Sequence, residues 1–160
     1  MLMTTTHHIG GLNEKALHAD LKEWYRHPGD QVEVKLDGFF IDIVRDDLLI
    51  EIQTRNFSAL KRKMLTLTEQ HPVRLVYPVA CEKWIVKQDA DGKKLGRRKS
   101  PKHGTLLHLF EELVSFPELL KNSNFSLHIV LIQEEEIRRH DKRRRGWRVP
   151  RRHVQPAREA

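Results

Sequence analysis

The stretch from Gln31 to Thr54 constrains this chain most. Three apolar segments follow one another there, joined by connections too short for anything but antiparallel turns. Residues 31–36 alternate, with Val32, Val34 and Leu36 on one side. Residues 39–44 are apolar except for Asp42. Residues 48–54 place Leu48, Ile50 and Ile52 on one face and Leu49, Glu51 and Gln53 on the other. Asp37-Gly38 and Arg45-Asp46-Asp47 supply the turns, so a three-strand meander is expected.

The flanking sequence sets this meander in an α/β frame. A helix is expected over 13–27, with Asn13 as N-cap, Leu17, Leu21, Trp24 and Tyr25 as its apolar stripe, and Pro28-Gly29 as the stop. A second helix over 57–69, capped by Asn56, carries Phe57, Leu60, Met64 and Leu67 at helical spacing. Residues 73–79 then read as a buried strand, and the strand–helix–strand order implies a right-handed crossover and a parallel pair. Further on, 83–87 suit a short strand, 88–104 a basic loop, 105–121 a helix broken or bent at Pro117, and 126–132 another strand. The expectation is one α/β domain over 1–137, a mixed central sheet flanked by helices, followed by an Arg-rich tail at 138–160 that is either disordered or a short helix needing a partner.

Charge is unevenly placed. The formal net charge is +7, yet residues 138–160 hold ten Lys and Arg against Asp141 and Glu159, which makes the tail +8 and the rest of the chain −1. A second basic group, Lys93, Lys94, Arg97, Arg98, Lys99 and Lys102, falls in the expected loop. Runs of this kind attract polyanions, nucleic acid above all; the competing reading is a solvated, solubilising surface. Trp147 lies among Arg143, Arg144, Arg145 and Arg148 and is suited to stacking on bases, whereas Trp84 reads as core. There is no Gly-rich phosphate loop and no Ser/His/Asp layout. No apolar run reaches the roughly 20 residues of a membrane helix, and the first residues lack the layout of a secretion signal. Cys81 is the single cysteine, which excludes an internal disulfide. An intracellular, cytoplasmic protein without a membrane partner is expected, nucleoid-associated if it binds DNA.

The chemistry concentrates on polar residues inside apolar strands. A carboxylate in a central strand is costly unless paired or bound to metal. Glu51 and Gln53 share a face, and pairing of the two strands brings Asp42 within reach of it. Two converging acids repel until a divalent cation neutralises them, and hard oxygen ligands suit Mg²⁺ or Mn²⁺. The rival reading leaves Asp42 and Glu51 facing solvent on a half-exposed sheet. Glu14 projects within roughly 20° of Leu21, on the apolar face of the first helix, either toward the site or simply as a complement to the helix dipole.

Asp42 within Ile41-Asp42-Ile43, followed after eight intervening residues by Glu51-Ile52-Gln53, resembles the signature of the PD-(D/E)xK nuclease superfamily, and the element order over roughly 12–79 resembles its restriction endonuclease-like core. The resemblance implies that Asp42, Glu51 and the backbone carbonyl of Ile52 hold the metal, with Glu14 assisting. It implies a metal-dependent DNA nuclease, with DNA favoured over RNA, in repair, recombination or defence, and a homodimer as in many relatives. Gln53 departs from the family's usual Lys, although some active members resemble this chain there. Lys35 and Lys61 are candidates for a displaced lysine, or ordinary surface residues. Glu33-Val34-Lys35 is formally Glu-x-Lys but lacks a preceding strand Asp. Two alternatives remain open: a catalytically degenerate module that binds nucleic acid without cutting it, and an interaction protein whose tail docks on an acidic partner.

Overall fold

A computed structural model describes residues 9–10, 14–54, 56–102, 104–114, 116–141 and 146–156. The elements are β1 (Ile9–Gly10), α1 (Glu14–Tyr25), β2 (Gln31–Leu36), β3 (Phe39–Arg45), β4 (Leu48–Ile52), α2 (Lys61–Thr68), β5 (Val73–Gln88), β6 (Lys94–Lys99), α3 (Leu106–Leu113), β7 (Phe125–Asp141) and β8 (Gly146–Pro156). Short 3-10 turns occupy Phe57–Leu60 and Leu119–Lys121. The protein is α/β with a mixed sheet flanked by helices. Two compact units share the chain, one comprising 21–79 and 105–130, the other 1–20, 80–104 and 131–160.

In the first unit the expected meander forms. β2 and β3 pair antiparallel from Leu36–Phe39 outward, joined by Asp37 (φ 50) and Gly38 (φ 81). Two consecutive positive φ angles make the primed turn whose twist matches the strands, which is why Asp-Gly stands there. β3 and β4 pair antiparallel, β4 and β5 pair parallel with Leu49 beside Val73, and β7 neighbours β5. The parallel pair confirms the crossover through α2. One face of this sheet meets α2 and α3 in a core built on Leu49, Phe57, Met64, Leu75, Leu109 and Phe116. On burial at about 25 cal/mol per Å², each such side chain contributes roughly 2 kcal/mol. Asn56 precedes the helical turn as expected, but in a left-handed conformation (φ 57) and without a side-chain cap. Glu112 of α3 caps it instead, accepting the Phe57 N–H at 2.8 Å and the Asn56 N–H at 3.3 Å. The helix expected over 105–121 is shorter: α3 stops at Leu113, ahead of Pro117, and only the 3-10 turn Leu119–Lys121 follows.

The second unit departs most from expectation. Residues 88–104 were expected as a loop; 94–99 instead form β6, paired with β5 from Trp84–Lys99 to Lys87–Gly96. The segment 83–87 is not a separate short strand but the continuation of β5. In place of a disordered or helical end, 146–156 form β8, which pairs antiparallel with β7 and also with β1. β6 is held by charge pairs, Lys99 with Glu82 and Arg97 with Glu135, and not by apolar alternation, as every one of its residues is exposed. Among the described residues no helix is long and apolar enough to cross a membrane.

Candidate active site where two strands part

The β3–β4 ladder runs Arg45–Leu48, Val44–Leu49, Ile43–Ile50. Beyond that pair, side chains replace backbone bonds. Asp42 Oδ2 accepts the Ile52 N–H at 2.9 Å, and Glu51 Oε1 accepts the Asp42 N–H at 3.3 Å. Each acid thus reaches across to the other strand, and the two strands part around them. The cause lies partly in β3 itself. Ile41 and Val44 pack into the same core although they are an odd number of residues apart, so the strict alternation slips by one between them, at Asp42. Glu33, the residue of β2 that falls between the Val32–Ile43 and Val34–Ile41 pairs, has φ 54 and breaks regularity at the same level.

Glu51 is 4% exposed, which rules out the solvent-facing reading for it; Asp42 is half-buried. Lys63 of α2 meets this pair. Its Nζ lies 2.5 Å from Glu51 Oε1 and also donates to the Phe40 carbonyl. Burial pushes the Glu51 carboxyl up to about 7; Lys63 pulls it down without overcoming burial, and neighbouring Asp42 adds to the rise. Glu51 is therefore poised to exchange a proton near neutrality.

Of the residues expected at the site, Asp42 and Glu51 come together. Ile52 points its N–H at Asp42, and because the N–H and C=O of a strand residue face the same side, its carbonyl faces the parted region as well. Gln53 turns away, its Nε2 donating to the Asn56 carbonyl at 3.1 Å while its N–H continues the ladder to Val76. Glu14 opens α1, but its side chain lies outside the described part. Neither lysine proposed from sequence reaches the acids. Lys35 sits exposed on β2 opposite Phe40, and Lys61 faces Glu118 at 3.8 Å. The residue sequence reasoning missed is Lys63. Lys61 and Lys63 flank the Leu60–Met64–Leu67 stripe at similar angles on opposite sides, so helical spacing alone cannot choose between them. Among the described residues no group of three or more His, Cys, Asp or Glu is placed to hold a metal.

The basic residues are only partly free. Arg97 lies over the Trp84 ring at 3.7 Å and pairs with Glu135 at 2.7 Å, and Lys99 pairs with Glu82 at 2.6 Å. Trp84 is thus a platform for a cation, half-buried, and not a core residue. Lys93, Lys94, Arg98 and Lys102 are exposed. Arg143, Arg144 and Arg145 lie outside the described residues, as does the side chain of Arg148 in β8. Trp147 is exposed and carries Lys87 Nζ at 5.1 Å from its ring centre.

Over residues 15–158 the chain matches the family model described as a domain of unknown function, DUF8091. It is also similar to an uncharacterized protein of Treponema pallidum (strain Nichols), 34% identical over 145 residues that cover 89% of this chain and 58% of that protein. The chain thus spans little more than half that relative's length. No solved structure matches. Because the family match runs through both units and takes in Asp42, Glu51 and Lys63, the chain belongs to the DUF8091 family.

Proposed function

We propose that this protein is a Mg²⁺- or Mn²⁺-dependent DNA nuclease with a restriction endonuclease-like core. One observation carries the reading: two acids from adjacent strands turn into the same parting of the sheet, with the amine of Lys63 on one of them. The donor set fits the metal. Mg²⁺ is bound through one or two carboxylates and keeps several waters, so Asp42, Glu51 and the Ile52 carbonyl suffice without a third acid. When bound, the ion lowers the pKa of a coordinated water and stabilises charge on the phosphate. Lys63 answers for the missing lysine at position 53, since a cation held by α2 supplies positive charge where glutamine cannot. Lys93, Lys94, Arg98 and Lys102, together with Arg143, Arg144, Arg145 and Arg148, supply affinity through backbone phosphates and not sequence reading. Purified protein is expected to cut DNA only with added Mg²⁺ or Mn²⁺, and Asp42→Ala to abolish cutting; cleavage that survives this substitution rejects the site.

A specific observation also favours the degenerate module. Lys63 neutralises Glu51, and the Ile52 N–H occupies an oxygen of Asp42, so the acids are satisfied without a metal. That reading predicts salt-sensitive DNA binding and no metal-dependent cleavage of single-stranded, duplex or branched DNA.

A further inference from the structure

α3 is apolar over more of its circumference than its own unit covers. Leu109 and Leu113 are buried in the core, at 2% and 7% exposure. Leu107, Phe110 and Val114 are 64%, 60% and 78% exposed, and Leu106 is 49% exposed. Val114 donates to the Phe110 carbonyl at 3.1 Å, so it continues the helical turn. At about 100° per residue, Leu107, Phe110 and Val114 fall within roughly 60° of one another, with Leu106 completing a stripe of about 100°. Scattered apolar residues on a surface need no explanation, but four on one helix face form a patch of a size that marks an interaction site.

We propose that this stripe is the contact of a homodimer, with α3 packing against α3 of a second copy about a two-fold axis. The inference does not depend on the nuclease reading. Three considerations select the occupant. First, area: the four side chains expose on the order of 450 Å². Two copies therefore bury about 900 Å² of apolar surface, and at the roughly 65% apolar share of homodimer interfaces this corresponds to a total near 1,400 Å², above the ~1,000 Å² a specific interface needs. Second, the stripe is centred on Phe110, so a two-fold axis there sets Phe110 against its own copy and Leu107 against Val114 of the partner subunit. The two helices then run antiparallel, with their dipoles opposed favourably. Third, the sequence of α3, Leu106–Leu113, contains no Lys or Arg, which disfavours an anionic lipid surface as occupant.

The full chain is examined by sedimentation equilibrium over a range of concentrations, beside Phe110→Glu and Val114→Glu. The wild type is expected at twice the chain mass and both variants at the chain mass, with circular dichroism unchanged because the substituted side chains are exposed. In a Cys81→Ser background, Phe110→Cys is expected to form a disulfide-linked dimer under mild oxidation, since a residue on the axis meets itself. A wild type that stays monomeric throughout overturns the proposal. So does a dimer that survives both glutamates, which would place the contact elsewhere. Cleavage assays are run separately, so loss of the dimer with cleavage retained, or the reverse, tells the two proposals apart.

Discussion

Two glutamates in this protein are equally hidden and behave oppositely. Glu51 and Glu136 are each 4% exposed. Burial raises the carboxyl of both. At Glu51 it wins, carrying the group to about 7, because a single cation opposes it and Asp42 adds repulsion. At Glu136 it loses, and the carboxyl is held below the usual value by Lys83 at 2.8 Å and Arg138 at 2.7 Å. The difference is one of depth and of number. Glu136 is covered by the long side chains of Lys83 and Arg138 that pair with it. Glu51 stands under α2, on the face of the sheet that carries the core. A charge pair on a strand surface is a structural fastening, whereas an acid set deep, where one cation does not overcome burial, is chemically available.

The sharpest way to break this comparison is to remove one lysine from each glutamate. Lys63→Met is expected to lower metal-dependent cleavage by about 10²–10³-fold, the usual cost of losing one charged group aimed at a reacting centre. Lys83→Met, which leaves Arg138 on Glu136, should leave cleavage unchanged. Equal losses from the two substitutions would mean that both lysines act only through folding.

Stability against pH separates the two next. For Glu51 the folded value of about 7 lies above its ordinary 4.5, so the folded state holds the proton more tightly. Ionisation then destabilises the fold progressively from about pH 4.5 to 7, by up to roughly 3 kcal/mol. Glu51→Gln removes that slope. Glu136 has the opposite sign: its contribution is present above its ordinary value and is lost as pH falls through its lowered one, so Glu136→Gln should destabilise most at neutral pH. Denaturant titrations from acid to neutral pH read both slopes, and slopes of the same sign would end the contrast.

Legibility in the sequence divides along similar lines. The meander, α2 and the start of β5 were readable because apolar periodicity reports a face against a core, and β2–β4, α2 and Val73–Val79 have one. β6 and β8 were not readable. β6 carries Lys94, Arg97, Arg98 and Lys99 with every residue exposed, so its partners are set by Glu82, Glu135 and the Trp84 ring, which no local pattern announces. At the site, Asp42 and Glu51 could be paired from their strands. Lys63 could not be chosen over Lys61, because that depends on which flank of α2 turns toward the parted strands, a property of docking and not of spacing.

A smaller effect is expected in metal affinity. A proton on Glu51 competes with a divalent ion for the same oxygens, so Mn²⁺ affinity should rise by up to about tenfold per pH unit below about 7 and level off above it. Calorimetric titration of Mn²⁺ at several pH values reads this, and Glu51→Gln should bind weakly with a flat profile. A flat profile in the wild type would mean that Glu51 is not a ligand.

The smallest change is expected at the position where the resemblance is weakest. Gln53 holds the Asn56 carbonyl at 3.1 Å, and its backbone keeps the β5 ladder. If Lys63 already places a cation on Glu51, Gln53→Lys adds a second where one is answered, and the cleavage rate should not rise. If the protein is a degenerate binder, the same substitution restores the lysine that its strand lacks, and metal-dependent cutting should appear where there was none. Pairing Gln53→Lys with Lys63→Met makes the test symmetrical. Activity lost through Lys63→Met and regained with Gln53→Lys would mean that one positive charge is required and that either the helix or the strand can supply it. Failure to regain it would tie the requirement to the position of Lys63 on α2, where the amine also holds the Phe40 carbonyl and thereby the edge of β3 beside Asp42.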